Sequence, residues 1–368
     1  MPHAVWTYAD QTWMHTSGHY ADHLYFASPL RGNFEVECEL TSFDYRDAQL
    51  SYGALTVALE YTLKSYQLWH LGRSTASKPI SPPIKAIGPW YAFKLAFKDG
   101  TYSAFVDGRK IHESRLPDEA DPWLALVSRA DMNGGVRNLK ITGKPVIPDS
   151  LNLSAAPDLD GWLADYYADS SLWKKQGAEI VGLKPRDPRE PQPPAEPGSE
   201  PVAPSEAAMP GSKWESVLKY NRPMLEDGEI AYEFFFDPGK VAVHPSLDRL
   251  AFLVEPDGVK IHWMTGAQHD RTGLTPENIT IEADRRRGSE KPPLRPGEWN
   301  KLKLALIGDI VTLTLNDVVV YERPLKPTNR RDFGLFRYAD ETEARVRNVT
   351  YRGQWPKALP PGLVGDPK

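Results

Sequence analysis

The chain has 368 residues, of which 40% are hydrophobic and 11% aromatic, and its formal net charge is −5. This length accommodates two ordinary domains, and the composition is that of a globular protein rather than a disordered one. The negative charge gives no reason to expect nucleic acid or an anionic membrane surface as a partner. We find no stretch long and apolar enough for membrane insertion, and no export signal in the first 30 residues.

The first strong strand pattern contains the chain's single cysteine, Cys38. One cysteine excludes an internal disulfide and a cysteine-based zinc site. Alternation predicts that Cys38 faces inward as a buried, unreactive thiol, while three acids face outward. Three acids on one face also fit a glycosidase, which needs two carboxyls beside the scissile bond. We favour a solvated strand face; the acids are Glu35, Glu37 and Glu39.

Strand signals continue along the rest of the chain. Alternating segments meet at Asp107-Gly108 and again at Asn316-Asp317, which are typical hairpin turns. Helical periodicity of useful length is absent from the sequence. The pattern therefore predicts an all-β fold made of antiparallel sandwiches or jelly rolls.

Residues 90–113 match residues 299–322 without a gap, and the closing Val-Arg-Asn segments at 136–138 and 346–348 match as well. Aligning Gly32 with Gly228 places Glu37 opposite Glu233. A repeat of this length predicts a duplicated domain. We expect the residues that both copies retain to be structural, namely Trp69, Trp263, Trp90, Trp299, Asn138 and Asn348.

The repeat sets the predicted domain boundaries. The first, diverged sandwich covers 1–145, a linker covers 146–157, and the second sandwich covers 158–356. Nine prolines fall within 184–212, which predicts a disordered insertion in the second sandwich. Residues 357–368 are predicted to form a flexible tail.

Candidate ligand-binding residues are polar side chains of the second copy. His262 is the clearest example, because it lies on a polar strand face and Leu68 occupies its place in the first copy. The full candidate set is Glu233, His244, Arg249, His262 and Arg337. A metal site formed by His244, His262 and His269 matches no known ligand spacing. We therefore predict no metal and no cofactor; calcium is chemically possible but nothing indicates it.

The order of these elements resembles the concanavalin-A/LamG-like jelly roll. The closing Val-Arg-Asn strand is similar to one in the 3-keto-disaccharide hydrolase-type domain. The second half resembles a planctomycete family of unknown function, through His244-Pro245 with Leu247 and Arg249, Asp257-Gly258-Val259 with His262-Trp263, Trp299-Asn300, Leu315-Asn316 with Tyr321-Glu322-Arg323, Arg331 with Phe333-Gly334-Leu335-Phe336 and Tyr338, and Ala344 with Val346-Arg347-Asn348-Val349. The resemblance implies tandem jelly rolls in an exported or envelope protein, of which this chain would be a partial or short version, and it brings no established activity.

Three functions remain open. The favoured hypothesis is non-catalytic binding of a carbohydrate or cell-surface polymer by a lectin-like jelly roll. The alternatives are a structural or assembly protein that uses its sandwich faces, and a glycoside-processing hydrolase on the groove of the second copy. The sequence identifies no protein partner. We expect any activity to belong to residues 229–345.

Overall fold

A computed structural model describes most of the chain, in two compact units. The first unit is Met1–Asp149 with Trp355–Lys368, and the second is Ser150–Gln354. Each consists of antiparallel sheets, so the predicted all-β jelly-roll fold is confirmed. The described residues are 5–18, 22–41, 48–60, 63–71, 73–85, 89–128, 134–164, 172–185, 214–265 and 272–363.

In its described part, the first unit contains a large and a small sheet. Its strands are β1 (Val5–Ala9), β2 (Thr12–Ser17), β3 (Asp22–Tyr25), β4 (Arg31–Thr41), β5 (Gln49–Tyr52), β6 (Leu55–Leu59), β7 (Ser65–His70), β8 (Arg73–Pro79), β9 (Trp90–Lys98), β10 (Thr101–Val106), β11 (Arg109–Arg115), β12 (Leu124–Ser128) and β13 (Gly135–Val146). The large sheet has the order β1-β2-β13-β4-β9-β10-β11, and the small sheet has the order β3-β12-β5-β6-β7-β8.

The described part of the second unit repeats this arrangement. Its strands are β14 (Leu151–Asn152), β15 (Trp162–Ala164), β16 (Trp173–Gln176), β17 (Glu179–Gly182), β18 (Glu215–Tyr220), β19 (Gly228–Phe236), β20 (His244–Leu247), β21 (Leu250–Glu255), β22 (Gly258–Trp263), β23 (Glu298–Ile307), β24 (Ile310–Leu315), β25 (Val318–Pro324), β26 (Phe333–Tyr338) and β27 (Ala344–Gly353). The large sheet has the order β16-β17-β27-β19-β23-β24-β25, with β14 also paired to β27, and the small sheet has the order β15-β18-β26-β20-β21-β22. A 3₁₀ turn covers Ala283–Arg285.

Alternating side chains build the core of each unit. In β4, Phe34, Val36 and Leu40 are buried with Cys38, whereas the glutamates between them reach solvent. Burial raises the pKa of the Cys38 thiol well above its usual value, which agrees with the prediction of an unreactive cysteine. In the second unit, strand β19 shows the same strict alternation of buried and partly exposed residues.

The predicted hairpins form as expected. Asp107 and Gly108 both have positive φ, and so do Asn316 and Asp317, which is the backbone of a two-residue turn between twisted strands. In each copy the hairpin joins two neighbouring strands of the large sheet, β10 to β11 and β24 to β25.

The unit boundaries differ from the predicted ones at both ends. The predicted linker 146–157 is divided, because β14 pairs with β27 and joins the second unit. The predicted tail 357–368 belongs to the first unit: the Ile141 amide donates to the Leu363 carbonyl, and the buried Trp355 packs edge-on against Trp123. Residues 186–213 lie outside the described residues, so the insertion at 184–212 stays a prediction.

Within the described residues, no helix is long and apolar enough to cross a membrane.

Candidate functional site

An open groove of about 830 Å³ lies on the outer face of the large sheet of the first unit. One row of directly opposed residues crosses it. The row runs through β13, β4, β9, β10 and β11 as Thr142, Glu35, Ala96, Ser103 and Glu113. We call these five residues the first polar row. Because Ala96 and Ser103 are small, the row forms a shallow floor with a carboxylate at each end.

A lysine lies beside each of the two carboxylates of the first polar row. Lys94 Nζ lies 3.3 Å from Glu35 Oε2 and 4.0 Å from Glu37 Oε1. At the other end, Glu113 accepts hydrogen bonds from Lys110 at 2.7 Å and from Ser103 at 3.2 Å. These two hydrogen bonds, with the Lys110 charge, lower the pKa of Glu113. The groove therefore presents charged acceptors and charged donors side by side.

The groove also has an apolar surface beside its charges. The Phe105 ring lines it together with the side chains of the first polar row. Lys94 Nζ lies 4.8 Å from the centre of that ring, so the ammonium lies close to the ring as well as to two carboxylates. Half of the Glu113 side chain and 44% of Glu35 are exposed to solvent. Both carboxylates are consequently accessible to a molecule in the groove.

The large sheet of the second unit carries a matching row. It runs through β27, β19, β23, β24 and β25 as Arg352, Glu229, Ala305, Thr312 and Glu322, and we call these residues the second polar row. Lys303 Nζ lies 3.4 Å from Glu229 Oε2, as Lys94 lies beside Glu35. Two carboxylates again flank an alanine and a hydroxyl residue.

This pairing corrects one alignment made from the sequence. Glu233 of β19 lies beside Arg347 of β27, and the residue in the same position of the first unit is Glu39, beside Arg137. The expected match with Glu37 is therefore wrong by two residues. Gly228 occupies the position of Phe34, two residues after Gly32, because Phe34 pairs with Gly143 as Gly228 pairs with Gly353.

Two of the retained tryptophans, Trp90 and Trp299, form the same contact with an arginine in both units. Arg137 Nε lies 2.5 Å from Glu39 and its guanidinium lies 4.2 Å from the Trp90 ring. In the second unit, Arg347 Nε lies 2.6 Å from Glu233 and 4.0 Å separates its guanidinium from the Trp299 ring. We call each trio of glutamate, arginine and tryptophan a clasp.

Each clasp adjoins a β-bulge. Asn138 and Asn348 follow the clasp arginines, and both have φ of +55°, a backbone conformation that asparagine tolerates better than most residues. The sheet register shifts at these points. Glu233, a predicted ligand residue, is thus held by Arg347 in the same way as Glu39 is held by Arg137.

His262 lies on the outer face of the small sheet of the second unit, as predicted, but that face is covered. The side chain is fully buried. Its Nδ1 lies 2.8 Å from the Asn278 carbonyl and its Nε2 lies 2.7 Å from Glu215 Oε1. A carbonyl and a carboxylate only accept, so the His262 ring is the donor in whichever of these contacts its nitrogen carries a hydrogen. Glu215 also accepts from the backbone amide of Thr265, 2.7 Å away.

His244 lies on the same face and is also buried. Its Nδ1 accepts the Val254 amide at 3.1 Å. Burial, together with the nearby charge of His262, lowers the pKa of His244 to about 3, so its ring is neutral. A small apolar cluster covers this face, with Val217, Ala251, Leu253, Met264, Phe336 and Tyr338 as its members.

Arg249 and Arg337 lie elsewhere. Arg249 donates through Nε and Nη2 to the Met264 carbonyl. Arg337 is fully buried and donates to the carbonyls of Thr342 and Leu183, with its guanidinium 5.3 Å from the Trp173 ring. Burial lowers the pKa of Arg337 to about 10. The structure therefore does not bring the five candidates into one site, and their role in binding stays a prediction.

The remaining candidates are placed as follows. Trp69 is buried in the first unit, whereas Trp263 is half-buried with Lys326 Nζ 5.3 Å from its ring. His269 lies outside the described residues. In the described ranges, no three His, Cys, Asp or Glu side chains form a group that could hold a metal.

The fold and these sites define an all-β protein built from two antiparallel jelly-roll sandwiches. Residues 209–358 match the family described as "Domain of unknown function (DUF1583_N)". Residues 94–192 match "Protein of unknown function (DUF1581)", a match that extends across the boundary between the two units. No match was found among curated proteins.

Several solved structures are similar at low identity. A carbohydrate-binding module, CBM66, from Bacillus subtilis is 12% identical, with a TM-score of 0.31, and the match covers 38% of this chain and 91% of that one. Domains LG4-5 of the mouse laminin α1 chain are 12% identical, with a TM-score of 0.26 and coverage of 96% and 95%. Sheep galectin-11 in complex with glycerol is 12% identical, with a TM-score of 0.25 and coverage of 34% and 99%.

Proposed function

We propose that the protein binds a carbohydrate or another polyhydroxylated surface polymer, without cleaving it, in the groove of the first unit. The observation that carries this proposal is the first polar row. It places a carboxylate at each end of a floor of small residues on an open sheet face. An open groove on a rigid sheet suits an extended polymer better than a small enclosed ligand.

The groove chemistry matches the two kinds of surface that a sugar presents. Sugar hydroxyls donate to carboxylates such as Glu35 and Glu113 and accept from Lys94 and Ser103. The apolar C–H faces of a sugar ring pack against an aromatic surface such as Phe105. One hydrogen bond contributes only about 1 kcal/mol net, or about 1.5–3 kcal/mol when one partner is charged. Several of these contacts must therefore act together.

Binding fits this groove better than hydrolysis. A glycosidase needs one carboxyl that holds a proton at rest, yet hydrogen bonds and the Lys110 charge lower the pKa of Glu113. Glu35 lies beside the Lys94 ammonium. In addition, three strand spacings of about 4.8 Å separate Glu35 from Glu113, or about 14 Å between backbones. The charge and the separation of Glu35 and Glu113 therefore favour their acting as two acceptors that hold a ligand over their acting as a catalytic pair.

A carbohydrate microarray probed with the intact chain tests the proposal. The variants Glu35→Gln and Glu113→Gln keep the side-chain shape and remove the charge. The matched control is Glu39→Gln, which lies on the same strand and face as Glu35 but contacts Arg137. We expect the two groove variants to lower the signal at least tenfold, since losing a charged hydrogen bond costs roughly 1.5–3 kcal/mol. The control should retain the wild-type signal.

Two results would overturn the proposal. One is the absence of signal from the wild-type chain on every glycan of the array. The other is an equal loss of signal in Glu35→Gln and Glu39→Gln, which would show that the groove has no special part in binding.

A further inference from the structure

We infer that the second polar row is a second binding site, on the second unit, for the same class of polyhydroxylated polymer. This inference rests on the proposed function of the first polar row. It concerns Glu229, Ala305, Thr312 and Glu322 with the adjacent Lys303 and Arg352, none of which belongs to the candidate set of Glu233, His244, Arg249, His262 and Arg337.

Both glutamates of the second polar row are partly exposed to solvent. Residues on the outer face of a sheet are not needed to fill the core, so after duplication the fold alone places little constraint on them. The side chain of Glu229 is 33% exposed and that of Glu322 is 42% exposed. Yet the row keeps glutamate, alanine, a hydroxyl residue and glutamate in the same order as the first polar row. Fold stability does not account for this agreement.

The agreement extends from residue types to atoms. In both units a lysine ammonium lies next to the first glutamate of the row, with Nζ to Oε2 distances of 3.3 Å for Lys94 and 3.4 Å for Lys303. In both units the second glutamate has a basic partner as well. Lys110 lies 2.7 Å from Glu113, and Arg287 lies 3.3 Å from Glu322. The lysine beside the first glutamate is therefore retained, whereas the second glutamate has a basic partner of a different type from a different part of each unit.

Exposed ion pairs alone do not explain why this pattern is retained. Such pairs contribute about 0–1 kcal/mol to stability, and many other charge arrangements would serve equally well. The residues between the acids are also retained in type, as Ala96 with Ser103 and as Ala305 with Thr312. Two acids separated by small residues leave room for a molecule to lie across the strands, as they do in the groove of the first unit.

The differences between the rows predict a weaker second site. Thr314 takes the place of Phe105, and Ala231 takes the place of Glu37. The second site therefore lacks the aromatic surface and one of the carboxylates. At the edge of the row, Arg352 replaces Thr142 and its Nη1 lies 3.9 Å from Glu229, which adds donors for sugar hydroxyls.

Native affinity electrophoresis of the intact chain tests the inference. The gels contain laminarin, xylan, galactomannan or polygalacturonate, and mobility is compared with that in gels without polymer. Three double variants change the net charge equally: Glu35→Gln with Glu113→Gln, Glu229→Gln with Glu322→Gln, and the control Glu39→Gln with Glu179→Gln, whose carboxylates pair with Arg137 and Arg345. We expect each row variant to weaken binding of the retarding polymer at least threefold, with the larger effect from the first row. The control should match the wild type.

The outcomes separate the two proposals. If the first-row variant loses all retardation and the second-row variant behaves like the control, the second site is wrong and the proposed function stands. If only the second-row variant weakens binding, the second site stands and the groove of the first unit is not the binding site. If none of the four polymers retards the wild-type chain, both proposals fail. A variant that joins all four row substitutions should show no retardation.

Discussion

The large sheets of the two units share outward-facing side chains, whereas the small sheets do not. On the large sheets, both the clasps and the polar rows are alike to within a few tenths of an ångström in their ion-pair distances. On the small sheets they differ. In the second unit, His262 and Glu215 are buried beneath the segment that contains Asn278. In the first unit the strand pairing places Trp69 in the position of His262, because Trp69 pairs with Thr56 as His262 pairs with Ala251, so the match with Leu68 made from the sequence is wrong by one residue.

This contrast changes how a duplicated sequence should be interpreted. From the sequence, features shared by both copies were assigned to the fold, and features unique to the second copy were assigned to function. The structure places the unique residues His244 and His262 in a buried network. It places a shared polar row on an exposed face. Shared exposed residues are therefore the better functional candidates in this protein, because the core does not need them.

The largest effect is expected from breaking the buried network of the small sheet. Glu215→Ala leaves the buried His262 ring and the Thr265 amide without their carboxylate acceptor. Each buried polar group left unsatisfied costs about 1–3 kcal/mol. We expect this loss in the second unit only. Hydrogen exchange followed by mass spectrometry reports the strands of each unit separately. Leu68→Ala, in the first unit, is the comparison variant. It should speed exchange in the first unit and leave exchange in the second unit unchanged. Equal loss of protection in both units after Glu215→Ala would contradict the contrast.

The second effect is the acid sensitivity that His244 gives to the second unit; in the first unit, burial also lowers the pKa of His112. The pKa of His244 is about 3 in the folded state, against an ordinary value of 6.5. Below pH 6.5 the unfolded chain therefore binds a proton that the folded unit does not, and stability falls as the pH falls through this window. The slope approaches about 1.4 kcal/mol for each pH unit.

Denaturant titrations of the wild type and of His244→Gln between pH 6.5 and 5 measure this slope. The glutamine carbonyl can still accept the Val254 amide hydrogen but does not titrate. The variant should therefore show a flatter dependence than the wild type over this interval. Parallel curves would show that His244 does not control the acid sensitivity of the second unit.

The smallest effect is expected at the clasps, where the two units should respond alike. Arg137→Ala and Arg347→Ala each remove a half-exposed ion pair and a cation–π contact, for which we expect a loss of about 1 kcal/mol in total. Unit-resolved hydrogen exchange should show equal losses, each confined to its own unit. A loss of stability several times larger for Arg347→Ala than for Arg137→Ala would contradict this expectation. It would mean that the contacts of Arg345 and Phe235 add to the stability of the second clasp.

The sequence was sufficient for the fold. Alternation in residues 34–40 and the turns at Asp107-Gly108 and Asn316-Asp317 predicted sheets and hairpins that the structure contains. These signals are local, because inward and outward positions alternate along one strand and each turn depends on two residues. The covering of His262 is not local. It depends on Asn278 and Glu215, which lie 16 and 47 positions away in the chain.

The sequence missed the second polar row for a specific reason. Aligning Gly32 with Gly228 shifted β4 by two residues relative to β19, which set Glu37 against Glu233 and hid the match of Glu35 with Glu229. A shift of two leaves every side chain on the same face, so the hydrophobic pattern cannot reveal it. The register against the neighbouring strands does. The match of Glu113 with Glu322 was visible throughout, since both lie in the ungapped part of the repeat.

A crystal structure of the intact chain, soaked with an oligosaccharide that gives a microarray signal, tests the central claim most directly. We predict sugar density over Ala96 and Ser103, with hydroxyls within hydrogen-bonding distance of the Glu35 and Glu113 carboxylates. Density beside His244 and His262 on the small sheet of the second unit, with both polar rows empty, would contradict the account.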